Sequence, residues 1–323
     1  MTAYVGIQGQ NILIVSSDPA NPTEGQIWYN STTNLLKGYQ FVQAWAAGGN
    51  LNTARSSIGG AGTQTAALGF GGYTTAISAA SESYNGTSWT NTPSLNTARI
   101  MGGGFGTQTA ALGFGGISTV FTGATESFNG SSWTSSPNSL SPRYNLAGAG
   151  ASSAAGIGFG GYIPAGVSSA TESWNGTTWS PVGNLNTGRA NLAGAGIQTA
   201  ALGFGGSTSP TVNTAATESW NGSSWTSVNS MNTTRVNLAG AGTQTAGLAF
   251  GGFIPPATFS GATELWNGTS WTSASNSMAT ARRYPGGAGT QAAGLAFSGT
   301  TPSPTAATEE WTSAAATKTI TVS

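Results

Sequence analysis

The chain has no cysteine and no histidine, and only 18 of its 323 residues are charged. The missing cysteine excludes a disulfide scaffold and leaves the redox compartment open. Without cysteine or histidine, a metal centre or a Ser-His-Asp apparatus has almost no chemical material, so no metal, no cofactor and no enzyme activity are expected. Lys and Arg number 9, as do Asp and Glu. No basic stripe is available to neutralise phosphates, which argues against a nucleic-acid partner. Long apolar runs are missing too, because Gly, Thr and Ser interrupt every apolar stretch well below membrane-spanning length. The N-terminus lacks a basic segment followed by an apolar one. The sequence is therefore expected to have neither membrane insertion nor a secretory leader.

The few charges recur at a regular spacing. Arg55, Arg99, Arg143, Arg189, Arg235 and Arg282 form one ladder, and Glu82, Glu126, Glu172, Glu218, Glu264 and Glu309 another, in steps of 44 to 47 residues. A fixed period of this length marks a repeat architecture. Between the ladders, segments such as Asn191 to Gly206 read as two short strands of small residues joined by a polar turn. A variable loop follows, then a strand around Ala216–Trp220, an Asn221-Gly222 turn and a strand around Ser224–Thr226. Asn-Gly between apolar residues predicts a hairpin with a type I′ turn, and it recurs at Asn85, Asn129, Asn175 and Asn267. No segment carries a 3.6-residue apolar stripe. The expected fold is all-β, with four short antiparallel strands per unit, the pattern of a β-propeller blade.

The ends of the repeat predict how the ring closes. In five units Glu is followed by Trp89, Trp133, Trp179, Trp225 or Trp271, the start of an outer strand, but at the sixth equivalent position stands Ala316. Trp45, ten residues before Arg55, belongs to no complete unit. Residues 40–45 are therefore expected to supply the missing outer strand of a unit built from residues 282–311, closing a six-bladed ring and removing exposed sheet edges. This divides the chain into an N-terminal arm (1–38), a propeller (39–311) and a C-terminal tail strand (312–323). Ile12–Val15 of the arm has two readings: a strand added to a neighbouring protein, or an extra strand on the same molecule paired with residues 317–322.

The recurring residues admit structural or binding roles. The Trp rows suit packing between blades, though exposed they would suit stacking on sugars. The Arg and Glu ladders have equal numbers and a repeated separation of 27 to 29 residues, which favours buried pairing over a charged binding ring. Outside the ladders the acids are Asp18, Glu24 and Glu310, and beyond the adjacent Glu309-Glu310 no spacing suggests the pair of a paired-carboxylate hydrolase. The one surface that differs between repeats carries the loops between second and third strands. There Tyr73, Phe121, Tyr162 and Phe253 are candidate ligand-binding aromatics, with neutral drift of unconstrained loops as the alternative reading.

The succession Gly-Gly, Glu-Ser-Trp/Tyr, Asn-Gly, Trp and Met/Leu-Asn-Thr-x-Arg resembles the kelch repeat over residues 39–311. The resemblance implies a kelch-like β-propeller whose loop faces bind partners. The galactose oxidases, which share that propeller, carry copper-ligand Tyr, His and Cys, and this chain lacks the His and Cys. The arm from Ser16 to Tyr39 is similar to a segment of bacteriophage tail and other virion structural proteins, especially of marine and cyanobacterial myovirus-like phages. That similarity implies a non-enzymatic virion component, a tail, fibre or capsid appendage, assembled in the host cytoplasm. Its partners would be other virion proteins or further copies of itself, with a host surface glycan or protein as recognition target. A carbohydrate-binding lectin-like propeller and a cellular kelch protein-interaction module are the alternative readings.

Overall fold

The computed structural model describes residues 12–23, 25–139 and 141–320. The N-terminal part of the expected arm, residues 1–11, and the last residues of the expected tail strand, 321–323, lie outside the described residues, as does Glu24. The described residues contain strands and no helix. They fall into two compact units, one within residues 44–311 and one of the described residues within 12–43 and 312–320.

The larger unit repeats a four-stranded antiparallel sheet, an arrangement consistent with a β-propeller. The first sheet is Gly59–Gly62, Ala67–Phe70, Ser81–Tyr84 and Trp89–Thr92, paired in chain order. Sheets of the same order begin at Gly103, Ala147, Ala193 and Ala239. Gly286–Gly289 and Ala293–Phe297 start a further sheet, in which Thr308–Thr319 comes third and Leu35–Ala47 fourth. Trp45 thus lies in the strand next to the one that carries Glu309.

The amino acids follow this layering. First strands alternate Gly and Ala because those of successive sheets approach closely, and a Cβ on Gly240 would stand 2.6 Å from the Gly194 carbonyl. Second strands are buried along Ala67–Phe70 and its equivalents, where Leu and Phe carry the apolar surface. Fourth strands such as Trp89–Thr92 bury their Trp and expose the Thr, Ser or Asn after it, whereas Trp45 is partly buried.

The Asn-Gly turns differ from the expected type I′ hairpins. Only the glycine takes a positive φ, 91° at Gly86 and 94° at Gly222. Asn85 is not among the residues of positive φ, and its carboxamide oxygen accepts from the Thr87 and Ser88 amides at 3.0 and 2.9 Å. The loop is four residues long, and the asparagine side chain closes it in place of a second left-handed residue.

In the smaller unit, Leu13–Val15 pairs in parallel with Ile27–Asn30, which pairs antiparallel with Leu35–Gly38. The Asp18 carboxylate accepts from Lys37 Nζ at 2.6 Å, Asn30 Nδ2 at 2.7 Å and Trp28 Nε1 at 3.0 Å. Those bonds, the one from Lys37 foremost, hold its pKa down at about 2. Near the C-terminus, the Ile320 amide donates to the Leu36 carbonyl at 2.8 Å.

Candidate functional site

The site rests on a frame in which every ladder charge is occupied. Arg189, fully buried, donates from Nη2 to Glu218 Oε1 at 3.0 Å and from Nη1 to the Gly205 and Ala216 carbonyls at 3.1 and 2.6 Å. The second oxygen of Glu218 accepts from the Asn186 amide at 2.7 Å. Arg55 pairs in this way with Glu82, Arg99 with Glu126, Arg143 with Glu172, Arg235 with Glu264 and Arg282 with Glu309. In each pair the arginine precedes the first strand of a sheet and the glutamate sits in the third strand of that same sheet. Burial pushes every guanidinium pKa down, and the facing carboxylate opposes that shift. The ladder is internal, with all twelve of its side chains buried.

A second set of contacts ties each sheet to the one before it. Trp225 packs on Phe159 with ring centroids 4.7 Å apart, and its indole N–H donates to Thr171 Oγ1 at 3.0 Å. Trp133, Trp179 and Trp271 repeat the pattern on Phe70, Phe114 and Phe204. Trp89 packs on Phe297 and donates to Thr308, while Trp45 packs on Phe250 at 5.2 Å and donates to Thr263 Oγ1 at 2.8 Å. These rings are structural, and they leave the sugar-stacking reading of the Trp rows without exposed faces. The glutamine of the Gly-x-Gln turn between first and second strands is a further brace that sequence reasoning missed. Gln64, Gln108, Gln198, Gln244 and Gln291 each donate a side-chain N–H to a backbone carbonyl of the preceding sheet.

Two residues after each ladder arginine stands a left-handed residue. Ser57, Met101, Asn145, Asn191, Asn237 and Tyr284 have φ between 52° and 58°. Each amide donates to the carbonyl of its predecessor, from Met101 to Ser57 around to Tyr284 on Asn237, and the Ser57 amide donates to the Tyr284 carbonyl at 3.2 Å. This cycle of backbone bonds was also missed. Its only trace in the sequence is asparagine at three of the positions, since asparagine tolerates the left-handed region.

The variable loops are ordered hairpins. Tyr162–Ile163 pairs with Gly166–Val167, Phe253–Ile254 pairs with Thr258–Phe259, and bridges join Tyr73 to Ile77 and Ile117 to Phe121. Each is anchored to the residue that follows a ladder arginine, as Tyr162 is to Tyr144.

Of the candidate aromatics, Phe121 and Tyr162 come together in a cleft of about 540 Å³ that is also lined by Met101, Tyr144, Asn145, Asn191 and Tyr284. Phe121 lies against Tyr144 at 4.7 Å, and Tyr144 stacks on Tyr162 at 5.2 Å with planes 29° apart. The Tyr162 hydroxyl is 3.2 Å from Ser207 Oγ and accepts from Asn191 Nδ2 at 3.4 Å. Burial raises the Tyr144 and Tyr284 pKa values, so both hydroxyls stay protonated.

Tyr73 and Phe253 lie outside this cleft. Tyr73 is 41% exposed, and Phe253 packs edge-on against Phe259. The Arg283 guanidinium lies 5.5 to 5.7 Å from the rings of Phe253, Phe259 and Tyr284. Among the described residues no group of His, Cys, Asp or Glu side chains could hold a metal ion. No protein-family model matches the chain, and no curated protein matches it.

Proposed function

We propose that the repeated sheets form a closed six-bladed kelch-like propeller, and that the protein is a non-enzymatic structural and recognition component of a bacteriophage virion. Closure is supported by the cycle of hydrogen bonds from Ser57 through Tyr284 back to Ser57. The Trp45 bond to Thr263 is the counterpart of the Trp225 bond to Thr171, which argues that the N-terminal strand completes the last blade. The non-enzymatic reading rests on the use of the carboxylates. The ladder acids are taken up by arginine, Asp18 by Lys37, and Glu310 by the Tyr84 hydroxyl.

The recognition role is carried by one observation: among the described residues, the face whose loops vary between repeats holds bridged hairpins and an aromatic cleft on a repeated frame. The virion assignment rests on the similarity of the Ser16–Tyr39 segment to phage structural proteins. Its partners would be neighbouring virion proteins or further copies of this chain, reached through the arm. Antibody labelling and cryo-electron microscopy of phage particles that encode the chain test the assignment. Particles should carry it with the hairpin face outward. Its absence from purified particles, or burial of that face within the assembly, refutes the reading.

A further inference from the structure

We infer that the cleft between Phe121, Tyr144, Tyr162 and Tyr284 is a binding site for a neutral saccharide. The inference rests on the recognition role proposed above and names its ligand class. The cleft, at about 540 Å³, falls within the range of roughly 300–1,000 Å³ usual for small-ligand pockets. Its walls are aromatic and its polar groups are hydroxyls and carboxamides: Tyr144, Tyr162 and Tyr284 beside Asn145 and Asn191. No charged side chain lines it. Such a lining matches a ligand with apolar C–H faces and many uncharged hydroxyls, which is the chemistry of a pyranose ring.

An anionic ligand has no counter-charge in this cleft. The Arg283 guanidinium lies 5.5 Å from the Tyr284 ring, but Arg283 is not among the lining residues, and the rings of Phe253 and Phe259 also flank it. The walls are also set before any ligand arrives. Asn191 and Ser207 hold the Tyr162 hydroxyl, Tyr144 stacks on the Tyr162 ring, and the hairpins are pinned to the frame by backbone bridges. A site of this kind loses little side-chain freedom on binding.

The test is saturation-transfer NMR on the full chain, with glucose, galactose, mannose, N-acetylglucosamine and their disaccharides set against glucuronate and sialic acid. Transfer to at least one neutral sugar is expected, weakened about tenfold by Phe121→Ala through loss of one aromatic contact. Tyr162→Phe should weaken it too, and Tyr73→Ala, outside the cleft, should leave it unchanged. Thermal melts of each variant separate lost binding from lost folding. Failure of transfer to any of the neutral sugars, preference for the acidic sugars, or indifference to Phe121→Ala overturns the proposal.

A cell-adhesion assay separates this failure from failure of the recognition reading. Host adhesion that Phe121→Ala abolishes without sugar binding keeps the recognition face and assigns it a protein ligand. Sugar binding by a chain missing from particles keeps the cleft and removes the virion role.

Discussion

Replacing Trp45 with alanine tests the closing seam directly. The indole packs 5.2 Å from the Phe250 ring and 5.5 Å from Trp311, and donates to Thr263 Oγ1 at 2.8 Å. Trp-to-Ala changes in cores cost about 3–5 kcal/mol, and Trp45 is only partly buried, so the low end applies. The abandoned Thr263 hydroxyl adds about 1 kcal/mol. The total, roughly 4 kcal/mol, would lower a urea midpoint by about 1 M if m is about 3 kcal/mol/M. Trp225→Ala, at a seam within the continuous chain, is the reference and should lose as much or slightly more, since Trp225 is more deeply buried. A cycle pairing Trp45→Phe with Thr263→Val should show a coupling of about 1 kcal/mol from the indole bond. If Trp45→Ala shifts the midpoint by less than about 0.3 M while Trp225→Ala shifts it by about 1 M or more, the N-terminal strand does not close the ring.

Two further perturbations probe the frame and the arm. Arg189→Met strands the buried Glu218 carboxylate and should cost about 3–5 kcal/mol, whereas adding Glu218→Met should recover much of that loss in equilibrium unfolding, because the pair's net contribution is small. Asp18 has a folded pKa of about 2 against 3.8 for the free group. Its contribution to the arm is therefore complete above pH 3.8 and lost as pH falls toward 2. The Trp28 indole N–H signal followed by NMR should broaden or shift over that window, and Asp18→Asn should abolish the pH dependence.

The repeat period and the placement of Gly, Trp, Arg and Glu made the strand order legible, because each constrains its unit through local geometry or desolvation. Charge pairing was legible in particular from the equal ladders. Which carbonyls the free guanidinium nitrogens reach was not, since that depends on where Gly205 and Ala216 fall after folding. The Asn-Gly turn misled because dipeptide preference is blind to loop length, and the carboxamide of Asn85 supplies the closure that a second left-handed residue would have given. The cleft was half legible. Phe121 and Tyr162 stood out as aromatics in variable loops, but Tyr144 and Tyr284 sit beside the arginine ladder at positions that read as part of the repeat. Their meeting with the loops is a tertiary event that no single period encodes.

Burial of the ladders has a consequence for how the protein meets a partner. Twelve of its eighteen formal charges are spent in internal pairs, leaving Asp18, Glu24, Lys37, Arg283, Glu310 and Lys318 in the sequence outside them. Of these, Asp18 and Lys37 bind each other, Glu310 binds Tyr84, and the Arg283 guanidinium lies among aromatic rings. Long-range steering needs a sustained potential of one sign, and a net charge of zero with so few free groups cannot supply it. Encounter rates should therefore sit near the unsteered range of about 10⁵–10⁶ M⁻¹s⁻¹ and vary little with salt. Surface plasmon resonance on a host-derived glycan, run between 20 and 500 mM salt, should give on-rates within about twofold of one another, the screening length contracting across that range without effect. A steep fall with salt would mean that charge carries the recognition, and would place the contact at Arg283 or the arm instead of the aromatic cleft.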